Sequence, residues 1–307
     1  MIVLILVILI FAFSLVHYSK VISTILYLKR DLLRKYSAYY PKASIIMPCK
    51  GVDREFRENL NIILNQSYKD YEIIFSIAKK EDPAYDFLKK IKDKKIRLVV
   101  GEKLYDRCSE KLSNLLNALP YASGEVLVFL DSDLIIDKDV IRNLILPLQY
   151  NRIGATTGYR HYIPRNKIYS YIRSVYNLGS MLFIIGENNF TYGGATAIRK
   201  ELFYELNLDK IWQNSFTDDM PLTNAVKHSG KKIKFCSKCI GLSYDENKTL
   251  LENQGWINRQ VKIMQIYHKK MWFATSIIYL FFLQFLFFIF FLRLLYFYQA
   301  ISFFQFL

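Results

Sequence analysis

Asp131 and Asp133 stand one residue apart, directly after the apolar run Val126, Leu127, Val128, Phe129 and Leu130. Such a run reads as a buried strand of a parallel sheet, apolar on both faces. In open α/β sheets ligands bind beyond the carboxyl ends of the strands. A carboxylate pair at that edge suits a hard divalent cation, Mg2+ or Mn2+, and such a cation can hold a diphosphate. Oxygen ligands serve both metals, so the pair does not choose between them. The chemistry implied is use of a nucleotide-activated substrate.

A second acid pair, Asp218 and Asp219, opens a helix in NSFTDDMPLTNAVKHSG that ends near Gly230. Asp53 (CKGVD) and Asp82 (KEDPA) are two further carboxylates. Each also suits a plain helix N-cap, Asp82 above all because Pro83 follows it. Asp218 and Asp219 equally suit a helix dipole, and Lys111 a solvated helix face. His161, His228 and His268 are isolated and receive no role. Cys236 and Cys239 form one C-x-x-C, but a structural zinc site needs a second ligand pair. They read instead as small residues along an extended segment.

The elements that must position these groups alternate. ASIIMP, YEIIFSIA, IRLVV and residues 125–130 read as strands. Between them Phe56, Leu60, Ile63 and Leu64 mark one helical face, Ala84, Phe87, Leu88 and Ile91 a second, and Leu112, Leu115, Leu116 and Leu119 a third. This alternation predicts βαβ units and a largely parallel sheet. No G-x-G-x-x-G or G-x-x-x-x-G-K-[ST] is present to carry phosphates. Later, GATTGYRHY reads as a strand and residues 169–185 as an aromatic helix or membrane-proximal segment. TYGGATAIRKELF reads as a flexible glycine pair before a helix start.

Residues 1–28 and 271–307 differ from the middle. The first holds two apolar runs around Lys20, and residues 271–292 carry no charge, Gly or Pro. A spanning helix needs roughly 20 apolar residues, so a transmembrane helix is expected at each end. Only 14 residues follow Arg293, short of a second full span. A signal peptide is the weaker reading of the first run, without a basic n-region or clear cleavage site. Lys29, Arg30, Arg34 and Lys35 flank the first span, and Lys262, Lys269 and Lys270 the last. The positive-inside rule then puts the intervening domain in the cytoplasm, on the inner membrane of the cell. The formal net charge of +15 fits an anionic membrane surface, and no nucleic-acid motif is present, so nucleic acid is not expected as a partner.

Residues 41–270 resemble a glycosyltransferase domain of family 2 type with the GT-A (nucleotide-diphospho-sugar transferase) fold, closest to the ceramide glucosyltransferase branch. The resemblance rests on YPKASIIMPCKGVD, EDPAYD, EKLSNLLNAL, VFLDSDLIID, TYGGATAIRK and FTDDMPLTNAV, in the family's order. It implies that Asp53 and Asp82 lie by the uracil and ribose of a UDP-sugar and that Lys111 approaches the diphosphate. It implies a metal-binding D-x-D pair in Asp131 and Asp133. Asp219 would be the catalytic base with Asp218 beside it, and the anomeric centre would invert in one displacement. The family's late [QR]-x-x-R-W motif is altered here: Trp256 stands at its first position, Arg259 keeps the arginine, and Gln260 stands last. Arg259 can pair with a phosphate and Trp256 can stack on a sugar or anchor at an interface.

The expectation is a metal-dependent inverting hexosyltransferase moving a hexose, most simply glucose, from a UDP-sugar to a lipid hydroxyl at the bilayer. A processive polysaccharide synthase of the same fold would need more spans for a polymer channel. A non-catalytic membrane-tethered adaptor would not need the full set of acidic residues.

Overall fold

The computed structural model describes residues 2–52, 54–101, 105–165, 167–186, 189–245 and 249–270. Beyond these it describes residues 272, 273, 275–277, 280 and 284. The chain divides into two compact units, Met1–Asn253 and Gln254–Leu307.

The first unit is built on a seven-stranded sheet in the order β3-β2-β1-β4-β6-β5-β7. The strands are β1 (Ala43–Cys49), β2 (Tyr71–Ile77), β3 (Ile96–Val100), β4 (Val126–Leu130), β5 (Ile153–Pro164), β6 (Ala195–Arg199) and β7 (Lys232–Asp245). The helices are α1 (Ile2–Leu32), α2 (Arg54–Leu64), α3 (Pro83–Leu88), α4 (Glu110–Ala118), α5 (Val140–Ile145), α6 (Ile168–Ile184), α7 (Lys200–Glu205), α8 (Leu208–Trp212), α9 (Asp219–His228) and α10 (Leu250–Tyr267).

Every residue of β4 is buried, as its unbroken apolar run requires. Successive side chains of a strand point to opposite faces. Val126, Val128 and Leu130 accordingly join one core with Ile45 and Met47 of β1, Phe56 and Leu60 of α2, and Ile141 and Leu144 of α5. Leu127 and Phe129 join the other, with Leu112 and Leu115 of α4, Phe203 of α7, Trp212 of α8 and Val226 of α9. Helices thus cover both faces, and the strand ends are left to carry chemistry.

The expected βαβ alternation holds through β4, whose neighbour β1 runs parallel to it and to β2. Two expectations need correction. Between the glycine pair and the expected helix start, which is α7 at Lys200, lies a strand, β6, which inserts antiparallel between β4 and β5. The sheet is therefore mixed. The second amphipathic helix is shorter than its apolar spacing suggests: α3 ends at Leu88, before Ile91.

The C-x-x-C lies in an interruption of β7. Thr157 of β5 pairs with Phe235 and Tyr159 with Ile240, so Gly158 alone faces four residues, Cys236 to Cys239. A Cβ at Gly158 would lie 2.2 Å from the Cys239 carbonyl oxygen, so the close crossing requires glycine there. Asp31 of α1 receives the Ser237 N–H at 2.8 Å and the Ser237 hydroxyl at 2.7 Å, and it pairs with Lys234.

Residues 2–32, covering the first expected span, are helical. Among the described residues, no helix is long and apolar enough to cross a membrane. Residues 285–307, most of the second expected span beyond residue 284, lie outside the described residues.

Candidate active site

The apolar ladder of β4 ends in a turn that presents Asp131 and Asp133. The Asp131 N–H donates to the Gly194 carbonyl at 3.0 Å, continuing the β4–β6 ladder by one step. Arg160 of β5 reaches over from two strands away. Its Nη2 donates to Oδ2 of Asp131 and Oδ1 of Asp133, both at 2.7 Å, and its Nη1 donates to Oδ2 of Asp133 at 2.7 Å. Nη1 also donates to the Ser243 hydroxyl at 3.0 Å, and that hydroxyl donates to the Asp133 carbonyl at 2.9 Å. The Arg160 side chain is 7% exposed.

Lys111 joins this pair to the second acid pair. Its ammonium lies 2.8 Å from Oδ1 of Asp131 and 3.1 Å from Oδ2 of Asp218. Ser109 caps α4, accepting from the Leu112 N–H, and so fixes where the helix starts and where Lys111 projects.

The start of α9 is held from the core. The Trp212 indole, edge-on to Phe129 and Phe203, donates to the Asp218 carbonyl at 3.1 Å. Thr191 donates from its hydroxyl to the Asp219 carbonyl at 2.8 Å, and its N–H donates to Thr223 at 2.9 Å. The Asp219 carboxylate accepts through Oδ1 from the Thr217 hydroxyl and, at 2.7 Å, from the Met220 N–H. Among the described residues its Oδ2 accepts no hydrogen bond.

Gly193 and Gly194 lie between the two acid pairs. A Cβ at Gly193 would lie 3.3 Å from Oδ1 of Asp218 and 3.4 Å from Oδ2 of Asp219. Gly194 has φ +112°, and a Cβ there would lie 2.6 Å from Oδ2 of Asp131. Only glycine allows the backbone at position 194 to pass so close to the Asp131 carboxylate, while Gly193 keeps open the space before Asp218 and Asp219.

Asp131 and Asp219 titrate apart. Burial pushes the Asp131 carboxyl up, but Lys111 and Arg160 outweigh it and hold it at about 2. Burial likewise disfavours the Lys111 ammonium, yet Asp131 and Asp218 raise it well above the usual lysine range. Asp219 goes the other way: burial, and then the neighbouring Asp218 charge, lift it to about 6. A carboxylate near neutral pKa beside one locked in its charged form is the arrangement expected of a proton acceptor next to an ion-holding pair.

The donor set suits a hard divalent cation. Nη2 of Arg160 marks a point reached by one oxygen from each of Asp131 and Asp133. Among the described residues no cluster of three or more His, Cys, Asp or Glu side chains is placed to hold a metal. A cation held by two carboxylates takes its remaining ligands from phosphates and water, the usual habit of Mg2+.

Of the other residues singled out in the sequence, Asp82 caps α3 through the Ala84 N–H at 2.9 Å. The same oxygen accepts from the Gly51 N–H at 2.8 Å, tying the loop after β1 to the loop after β2. Asp53 lies outside the described residues. Trp256, Arg259 and Gln260 sit on α10 in the second unit, where their spacing puts them on one helical face.

Arg160 was not singled out by motif. It does carry a physical signal: a cation at the end of a run of eight buried strand residues requires an anionic partner.

The mixed α/β fold is shared with a solved structure. A mannosyltransferase from Pyrobaculum calidifontis, PcManGT, solved with GDP-Man and Mn2+, matches with TM-score 0.54 and 19% identity over 87% of this chain and 74% of its own. S. aureus TarS 1–349, solved with UDP-GlcNAc, matches with TM-score 0.46 and 13% identity over 68% of this chain and 60% of its own. The first match shows a common fold. At the level of sequence the family model described as Glycosyl transferase family 21 matches residues 3–305. With that match spanning nearly the whole chain, the protein belongs to glycosyl transferase family 21 and is a glycosyltransferase.

Proposed function

We propose that this glycosyltransferase moves a hexose, most simply glucose, from a UDP-sugar to a lipid hydroxyl, with inversion at the anomeric carbon. The observation that carries the reading is the Lys111 bridge, 2.8 Å from Asp131 and 3.1 Å from Asp218, which puts both acid pairs in one site.

A lipid hydroxyl is a poor nucleophile at neutral pH. Asp219 supplies the positioned base: its Oδ2 accepts the hydroxyl proton as the oxygen attacks the sugar carbon. The new carbon–oxygen bond forms as the bond to the diphosphate breaks, and the electron pair leaves with the diphosphate. Asp131 and Asp133 would hold a Mg2+ or Mn2+ ion, which supplies positive charge to the leaving diphosphate. Lys111 adds a fixed cation on the same edge, within reach of a phosphate oxygen. Asp53 and Asp82 are assigned to the nucleoside, and Trp256, Arg259 and Gln260 to the acceptor or phosphate side, on the family's pattern.

A lipid acceptor calls for a membrane. Support comes from the apolar runs in residues 1–28 and 271–292 and from exposed apolar side chains along α1, with Phe11 64% and Val16 67% exposed. The basic residues next to both runs favour a domain on the cytoplasmic side of the inner membrane.

The test is incubation of membranes carrying the full chain with radiolabelled UDP-glucose and Mn2+, followed by lipid extraction and mass spectrometry. The expected product is a lipid with one added hexose. A water-soluble labelled polymer, or no transfer from any UDP-hexose in a donor screen, would contradict the reading.

A further inference from the structure

A cavity of about 410 Å³ lies where the end of α1, the bulge in β7 and α5 meet. Four cationic side chains line it: Arg34, Lys35, Arg142 and Lys238. All four residues are exposed, and among the described residues none pairs with a carboxylate. Two acids share the lining, and only Asp31 is matched by a cation outside it, so Asp139 offsets one of the four positive charges. Asp31 takes Lys234 and both Ser237 donors, and Asp139 accepts from the Ser67 hydroxyl. The cavity therefore keeps a cationic surplus that the fold itself does not neutralise.

This surplus is built rather than scattered. The four-residue excursion of β7 is what places Lys238 outside the ladder, and Asp31 fixes that excursion by bonding Ser237. Tyr27 adds a second tie, donating to the Phe235 carbonyl at 2.7 Å. The same helix end that organises the bulge contributes Arg34 and Lys35 just beyond it. Two arginines and two lysines around one concavity suit the tetrahedral oxygens of a phosphate group, which Arg can meet in bidentate fashion.

We propose that this cavity binds a phosphate-type anion, either the phosphodiester of an anionic lipid headgroup or free phosphate. It is separate from the Asp131–Asp219 site and shares no lining residue with it. The lipid source, though not the site, rests on the reading that α1 lies in a membrane.

The test uses the full chain in neutral detergent, with thermal unfolding as the readout. One arm titrates inorganic phosphate. The other, in phosphate-free buffer, adds phosphatidylglycerol to the micelles. Ligand that binds the folded state alone raises the midpoint in a saturable way. The wild type is expected to show that rise. Arg142→Gln/Lys238→Gln is expected to lose it, or to need at least about tenfold more ligand for the same shift. A Lys92→Gln/Lys94→Gln control removes the same charge elsewhere and is expected to respond like the wild type. The single variant Lys238→Gln guards against a folding defect in the double variant and is expected to weaken the response. A rise with phosphatidylglycerol alone assigns the site to the headgroup. A rise with phosphate, with or without the lipid, assigns it to the phosphate group itself. No rise in either arm, or an equal rise in the wild type and both pocket variants, would overturn the proposal and would leave hexose transfer untouched.

Discussion

Arg160 grips Asp133 in a two-pronged fork, Nη1 to Oδ2 and Nη2 to Oδ1, each at 2.7 Å, while Nη2 also reaches Asp131. With Lys111 on the remaining Asp131 oxygen, every carboxylate oxygen of the D-x-D pair accepts from a cation of the chain itself. The protein thus balances its own acid pair, and a divalent ion would compete with the guanidinium for the same oxygens. Arg160→Gln should leave Asp131 and Asp133 repelling each other. Breaking a buried ion pair from one side costs roughly 3–5 kcal/mol, and about half of Asp133 is exposed, so the lower end is expected. The midpoint should fall in chelator-treated buffer, and Mg2+ or Mn2+ should restore more of it in the variant than in the wild type. Differential scanning fluorimetry with and without metal checks both outcomes.

Asp219 is expected to be the base. Asp219→Asn should lower kcat by about 10²–10⁴-fold, the usual worth of a positioned proton acceptor. Nucleotide-sugar binding, measured by calorimetry, should change little because Asp131, Asp133 and Lys111 remain.

The pH dependence follows from the pKa of about 6 at Asp219. A base works only when ionised, so kcat/KM should rise with pH through about 6 and level off above it. Asp218 carries the like charge that helps to raise Asp219, so Asp218→Asn should move the rise to lower pH. Stability has the opposite sign. The folded chain keeps this proton longer than the unfolded one, so its contribution is present at acid pH and is lost as pH rises through about 6. Rate profiles for the wild type and Asp218→Asn decide the matter.

The glycine pair separates folding from chemistry. Gly194→Ala combines a φ of +112° with a 2.6 Å approach to the Asp131 carboxylate and should both unfold more easily and lose activity. Gly193→Ala meets only the 3.3–3.4 Å approaches to Asp218 and Asp219. It should fold with a midpoint near the wild type while transfer falls, because a methyl group enters the space before the acids. Circular dichroism melts alongside transfer rates distinguish the two.

Parts of this arrangement are readable in the chain because the signal is local. β4 is an unbroken apolar run stopped by acids, and the cap Asp82 stands beside its helix with Pro83 after it. β6 is not readable in that way. Its four small or apolar residues and closing Arg199 follow two glycines, and only its insertion between β4 and β5 makes it a strand. Arg160 shows a need for an anion but not which one, since its partners lie 27 and 29 residues earlier and two strands away. The bulge at Cys236–Cys239 has no composition signal: Ser237 and Lys238 look like ordinary strand alternation until Gly158 and Asp31 are seen against them. Local periodicity exposes elements, whereas pairings across the sheet are settled by packing of distant segments.

The most direct test is the transfer rate of labelled hexose from UDP-sugar to lipid, measured side by side for the wild type, Asp131→Asn and Asp219→Asn with saturating Mn2+. The account predicts transfer by the wild type, weakened donor binding in Asp131→Asn, and intact donor binding with transfer down at least about a hundredfold in Asp219→Asn. Asp219→Asn transferring hexose at the wild-type rate would contradict it.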